Sequence, residues 1–184
     1  SVHLLWIATL AIIFAIIGAY YYINVIKVMY FEEPVNYMNS RLHERVAAGT
    51  RIPIAGGERI YTRSGLRPYL ESMSLEVLQP DIGLTGGFTE AKKVCDYAHM
   101  YDVGIHMHIC GSPISTVSSL HLEAVIPNFV IHEHHTYASK RWNTELCIED
   151  YQPVNGRYAI PNKPGLGIEL NDDIVMRSPH VIVK

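Results

Sequence analysis

The stretch LQPDIGLTGGFTEAKKVCDYAHMYDVGIHMH, residues 78–108, decides the fold. An apolar run ends at "LQPD", and a second apolar run begins at "VGIHMH". The segment between them has apolar residues at helical spacing, at Ala91, Val94, Cys95 and Ala98. Two short β-like runs joined by a helix, with no hairpin signal, predict a strand–helix–strand unit with parallel strands.

The same alternation continues on both sides of this stretch. Strands are predicted at 28–31, 52–55, 75–79, 103–108 and 129–132. Helices are predicted near 39–47, 66–72, 89–100 and 114–125, with Thr89 as the N-cap of the third. A complete eight-fold barrel needs roughly 250 residues. The repeated units predict an α/β fold with a parallel sheet, either open or closed. About 150 residues suit half a barrel, so the predicted fold is a partial (β/α)8 TIM barrel with about five parallel strands and a Pro- and Gly-rich tail from Asn143.

The N-terminal segment has a different amino-acid composition from the rest of the chain. Residues 4–26 carry no charged side chain, and as a helix they are long enough to cross a hydrocarbon core of roughly 30 Å. Tyrosines at 20–22 and then Lys27 follow, as at a membrane interface. This predicts a hydrophobic, transmembrane-like helix with membrane contact through residues 4–26. A buried core helix is the alternative, and the start at Ser1 leads us to expect a fragment.

Composition narrows the possible partners and compartment. A net charge of -3 and a pI near 6.3 leave no basic surface, so we expect no nucleic-acid partner. The three cysteines are widely spaced and form no CxxC pair, which is typical of a reducing compartment.

Acidic and histidine side chains follow successive predicted strands. Glu32, Glu58, Asp81, His108 and Glu133 each lie near a strand's C-terminal end, where barrel enzymes place their active sites. One such carboxylate alone is usually a solvated loop residue or a helix cap. Five successive strand ends with such residues predict instead an oxygen-rich site suited to Mg²⁺.

Three motifs carry a family resemblance: "FEEPVNYMNSRLHERVAAGTRIPIAGGERIYTRSGLRPYLE", "LQPDIGLTGGFTEAKKVCD" and "IPNFVIHEHH". They resemble the mandelate racemase branch of the enolase superfamily, and within it the dehydratases that act on sugar acids. The resemblance runs from about Phe31 to the closing "KPGLGIEL". It implies the C-terminal half of the barrel, an Mg²⁺ cofactor, a small-molecule sugar-acid substrate, a cytoplasmic parent enzyme and a homo-oligomer.

The resemblance also implies roles for the five strand-end residues. Glu32 and Glu58 match the family's Mg²⁺ ligands, while Asp81 and His108 match its catalytic dyad. Glu133 matches the glutamate that stabilises the enolic oxygen of the substrate. In such a site the metal stabilises the enediolate, and His108, held in one tautomer by the aspartate, serves as general base or as general acid.

Two neighbours of these residues are candidates for substrate binding, Arg59 and His106. Strand alternation places His106 and His108 on one side of the strand and Met107 on the other. The alternative for His106 is a hydrogen-bonded strand-end histidine without a functional role.

The chain departs from the family at its N-terminal end. The third metal carboxylate and the capping domain belong to parts of the family sequence that precede "FEEP", so we expect this fragment to be inactive. Residues 1–30 resemble a helix of subunit N of bacterial NADH-quinone oxidoreductase, which predicts two parts, 1–30 and 31–184, joined near Tyr30.

The alternative functions are a racemase or epimerase of the same superfamily and a fragment of the membrane subunit of respiratory NADH dehydrogenase. A Zn²⁺ hydrolase is disfavoured, because "HEHH" lacks the i, i+4 histidine spacing of a helical zinc site.

Overall fold

The computed structural model describes residues 31–134, 140–149 and 151–179. Its sheet consists of β1 (Phe31–Glu32), β2 (Ile54–Gly56), β3 (Val77–Leu78) and β4 (Gly104–Ile105). These strands pair in chain order, and every pair is parallel. The helices are α1 (Ser40–Gly49), α2 (Arg63–Glu71), α3 (Ile82–Thr85), α4 (Phe88–His99), α5 (Pro113–Glu123), α6 (Arg141–Thr144) and α7 (Asp172–Arg177). The predicted α/β fold with a parallel sheet is confirmed.

A fifth extended segment lies beside β4. Ile105 forms a parallel bridge with Phe129. The Ile105 N–H donates to the Asn128 carbonyl at 2.7 Å, and the Val130 N–H donates to the Ile105 carbonyl at 2.8 Å. The parallel array of strand, helix and next strand is consistent with half of a TIM barrel.

The core lies between the sheet and the helices that cross over it. The strands contribute Ile54, Leu78 and Ile105, all fully buried. Helix α2 contributes Leu66 and Leu70, and the predicted apolar face of α4 is buried against the same cluster. Burying these side chains stabilises the sheet by roughly 1.5–3 kcal/mol per large aliphatic residue.

Two helix starts differ from the sequence prediction. Helix α4 begins at Phe88 with Gly87 as its N-cap, so the prediction of Thr89 was wrong. Gly86 and Gly87 both have positive φ, which lets the chain leave α3 and start the next helix earlier. Helix α2 also begins early, at Arg63, because the Thr62 hydroxyl accepts a hydrogen bond from the Gly65 N–H at 3.2 Å.

The predicted N-terminal helix lies outside the described residues, as do residues 28–30 of the first predicted strand. Within the ranges that the structure describes, no helix is both long and apolar enough to cross a membrane.

Candidate active site

Asp81 and His108 are brought together at the C-terminal ends of β3 and β4. They form a parallel bridge, and the His108 N–H donates to the Pro80 carbonyl at 3.1 Å. Nδ1 of His108 lies 2.9 Å from Oδ2 of Asp81. The other oxygen, Oδ1, caps α3 by accepting from the N–H groups of Gly83 and Leu84 at 2.8 and 2.9 Å. Asp81 is thus fixed on one side and orients the imidazole with the other.

These contacts shift the pKa of both partners. Burial alone would raise the pKa of Asp81, but the hydrogen bonds from His108 and from two backbone N–H groups hold it below its ordinary value. The hydrogen bond with Asp81 raises the pKa of His108 and outweighs the burial that opposes it. A carboxylate on Nδ1 places the Nδ1 proton between the two residues, so Nε2 is the nitrogen that faces away from Asp81.

Glu58 lies on the Nε2 side of this imidazole. Its Oε2 is 3.2 Å from Nε2 of His108, and its Oε1 is 3.1 Å from Nε of Arg59. The Arg59 guanidinium also lies over the ring of Tyr37, 5.5 Å from its centroid. Of the residues expected on the substrate side, Arg59 therefore pairs with the predicted metal ligand Glu58, and its side chain is half exposed.

Glu32 and His106 are joined by a residue that the sequence analysis did not select, Gln79. Nε2 of Gln79 lies 3.0 Å from Oε1 of Glu32 and 3.3 Å from Nδ1 of His106. Gln79 and His106 are both buried. Burial lowers the pKa of His106 and outweighs the opposite effects of Glu133 and Glu32. Gln79 could have been selected from the sequence, because it is a polar residue at the C-terminal end of the predicted strand "LEVLQ".

Glu133 is anchored to the strand that carries the histidines. Its Oε2 accepts from the Ile109 N–H at 2.5 Å, which leaves Oε1 for other partners. The charge of Glu133 acts on both His106 and His108. All seven predicted site residues thus belong to one connected region at the C-terminal ends of the strands.

The donor chemistry of this region fits a hard divalent cation. Glu32 lies in β1, and Glu58 follows the adjacent strand β2 by two residues. Both supply carboxylate oxygens, which Mg²⁺ prefers. Next to them, Glu33 has a buried carboxylate oxygen without a hydrogen-bond partner among the described residues. Burial raises the pKa of Glu33, and the charge of Glu58 raises it further, as expected where negative charge is concentrated. The described residues contain no group of three His, Cys, Asp or Glu side chains placed to hold a metal.

The remaining histidines of "HEHH" that the structure describes have other partners. Nδ1 of His132 lies 2.7 Å from Oε2 of Glu123, and Nδ1 of His134 lies 2.7 Å from the Tyr158 hydroxyl. His135 lies outside the described residues.

Comparison with known proteins identifies the family of this chain. Residues 19–174 match the family described as "Enolase C-terminal domain-like". The chain belongs to the enolase superfamily. The match covers most of the chain and begins within the segment 1–30 that the sequence analysis assigned to a separate helix.

Individual relatives of this enolase-superfamily chain are similar in sequence and in structure. It is 38% identical over 148 residues to a D-xylonate dehydratase of Haloferax volcanii, covering 80% of this chain and 36% of that protein. It is 35% identical over 153 residues to a D-galactonate dehydratase of Pectobacterium atrosepticum, covering 80% and 40%. A crystal structure of an enolase-superfamily member from Salmonella typhimurium superimposes with a TM-score of 0.80 at 52% identity, covering 84% of this chain and 40% of that one. The chain therefore spans about two fifths of the length of these relatives.

Proposed function

We propose that this chain carries the acid–base half of a sugar-acid dehydratase site, which removes water from an aldonate to give a 2-keto-3-deoxy acid. The observation that supports it best is the Asp81–His108 pair, with Glu58 3.2 Å from the reactive Nε2. The relatives named D-xylonate and D-galactonate dehydratase favour dehydration over racemisation or epimerisation. The family match over residues 19–174 argues against the alternative of a respiratory membrane subunit for the α/β part.

The proposed reaction breaks two bonds of the substrate. The C–H bond next to the carboxylate loses its proton, and the neighbouring C–OH bond loses its hydroxyl, which leaves as water after it takes up one proton. The resulting enol rearranges to the 2-keto-3-deoxy acid, so the net change is the loss of one water. Nε2 of His108 takes up the first proton or delivers one to the departing hydroxyl, with Asp81 stabilising the charged ring. Glu133 stabilises the enolic oxygen.

Glu32 and Glu58 are the residues of this chain that would hold Mg²⁺. When bound, Mg²⁺ supplies fixed positive charge that stabilises the negative charge developing on the substrate carboxylate. Arg59 and His106 lie beside these residues, and we assign them to substrate binding.

The experiment must separate the chemistry of this site from the parts of the relatives that this chain does not span. The isolated chain with Mg²⁺ and D-xylonate or D-galactonate should form no detectable 2-keto-3-deoxy acid. A chimera, in which residues 31–174 replace the matching region of the Pectobacterium D-galactonate dehydratase, should dehydrate an aldonate. The matched control is the same chimera with His108→Asn, which should lose at least about a hundredfold in kcat, the usual contribution of a general acid or base. A folded chimera without activity on any aldonate, or one that is indifferent to His108→Asn, would overturn the proposal.

A further inference from the structure

Gln79 contacts two site residues through a single nitrogen atom. Its Nε2 lies 3.0 Å from Oε1 of Glu32 and 3.3 Å from Nδ1 of His106. The side chain is 8% exposed, so water does not compete freely for the amide. The three residues come from β1, from the end of β3 and from just beyond β4.

The orientation of the Gln79 amide follows from the chemistry of its partner. An ionised carboxylate accepts hydrogen bonds and never donates them. If the amide were turned around, its Oε1 atom would face the Glu32 carboxylate, and two acceptors would be placed in contact. The NH₂ group must therefore face Glu32, with one of its two hydrogens left for His106.

The tautomer of His106 follows in turn. Because the amide nitrogen can only donate, Nδ1 of His106 must be an acceptor and carries no proton. The neutral ring then carries its single proton on Nε2. Burial acts in the same direction, since it lowers the pKa of His106 and so favours the uncharged ring.

We propose that Gln79 is a positioning residue that fixes His106 as the neutral Nε2–H tautomer and ties it to Glu32. The two histidines of "HMH", His106 and His108, then differ in which ring nitrogen carries the proton. His108 has its Nδ1 proton shared with Asp81, and its Nε2 exchanges protons. His106 instead has its Nδ1 occupied by the Gln79 amide and carries its proton on Nε2. This tautomer does not depend on the proposed function.

The test is histidine-ring nitrogen NMR of the ¹⁵N-labelled 184-residue chain, which distinguishes protonated from unprotonated ring nitrogens. The His106 signals are assigned by their loss in His106→Asn. His121 serves as an internal standard, because its Nε2 lies 3.0 Å from the Leu166 carbonyl and must carry a proton there. In the unmodified chain His106 should match His121, with its proton on Nε2.

Two variants test whether Gln79 is the cause. Gln79→Glu replaces the donor by a carboxylate and should move a proton onto Nδ1 of His106. Gln79→Met removes the hydrogen bond and should leave a mixture of tautomers. Gln152→Glu makes the same change at the chain's other glutamine and should leave the His106 signals as they were.

The proposal is overturned if His106 carries its proton on Nδ1 in the unmodified chain, and this result needs no variant to fold. It is also overturned if a folded Gln79→Glu chain keeps the His106 pattern unchanged. Neither readout depends on turnover, so a failed dehydration assay would overturn the proposed function and leave the tautomer standing.

Discussion

The imidazole of His108 lies between two carboxylates, with Nδ1 2.9 Å from Oδ2 of Asp81 and Nε2 3.2 Å from Oε2 of Glu58. Asp81 is additionally held by backbone N–H groups, whereas Glu58 is held by the half-exposed Arg59. The better-fixed carboxylate therefore orients the ring, and in the proposed function the less constrained one shares the side on which substrate and metal would bind. Nδ1 of His108 therefore faces the carboxylate that orients the ring, and Nε2 faces the carboxylate that is less constrained.

The Asp81–His108 pair should give the metal-free chain a stability maximum in pH. The pKa of Asp81 is below its ordinary 3.8, so its contribution is present above that value and is lost as the pH falls through the folded pKa. The pKa of His108 is above its ordinary 6.5, so its contribution is present below 6.5 and is lost as the pH rises through the folded pKa. The pair should therefore stabilise most between these two ordinary values.

Asp81→Asn should reduce the free energy of unfolding in that window by about 1.5–3 kcal/mol, the usual contribution of a hydrogen bond to a charged group. Urea unfolding across the pH range measures it. The control Asp96→Asn removes an exposed carboxylate paired with Lys92, and it should change stability by less than about 1 kcal/mol. Equal losses in the two variants at every pH would contradict the assigned coupling.

Gly57 should be sensitive to the addition of a single methyl group. Its φ is +122°, and a Cβ placed there would lie 2.6 Å from Cδ1 of Leu78 in the core. Gly57→Ala should therefore destabilise the chain by about 1–3 kcal/mol and displace the neighbouring Glu58. Gly49→Ala is the matched control, since no atom lies within 4 Å of its added Cβ. It should raise stability by roughly 0.4–1 kcal/mol. Thermal unfolding compares them, and similar effects at both glycines would contradict this account.

Much of the site could be predicted from the sequence because it depends on local rules. Parallel strands put their C-terminal ends at one edge, so the order of Asp81 and His108 along the chain was enough to predict that they meet. The buried face of α4 could also be predicted from the spacing of its apolar residues, although the first residue of the helix could not. The catalytic and metal-binding roles themselves rest on the family resemblance and remain proposals.

The contacts that were missed depend on how distant segments pack. Gln79 reaches Glu32 across 47 residues of sequence, and its place depends on the register of β1, β2 and β3 together. The buried pair of Glu123 and His132 depends on how α5 packs against the segment after Asn128. The periodicity of apolar residues in the sequence does not predict contacts between segments that are so far apart along the chain.

Mg²⁺ should bind weakly to the isolated chain. Two carboxylates, Glu32 and Glu58, leave most of an octahedral shell to water. Isothermal calorimetry should show weak binding that Glu58→Gln reduces further, while Glu71→Gln, at an exposed pair with Arg67, leaves it unchanged. Tight binding, or binding indifferent to Glu58→Gln, would show that other residues hold the metal.

Glu123 should make the chain less stable as the pH rises. Its side chain is 4% exposed, and its Oε1 has no hydrogen-bond partner. Burial raises its pKa above the ordinary 4.5, with the contact to His132 acting in the opposite direction. The folded state then holds the proton more tightly than the unfolded state. The free energy of unfolding therefore falls as the pH rises from about 4.5 to the folded pKa.

Glu123→Gln removes this titration and keeps an oxygen that can accept from Nδ1 of His132. Relative to the unmodified chain, the variant should gain stability progressively as the pH rises from 4.5, the ordinary pKa. Urea unfolding of both proteins at matched pH values measures the difference. The control Glu145→Gln lies at an exposed pair with Arg141, and its offset should stay within about 1 kcal/mol. A variant that instead loses most stability near neutral pH would mean that Glu123 is charged and forms a stabilising ion pair with His132, because only then does the substitution remove an attraction between two charges.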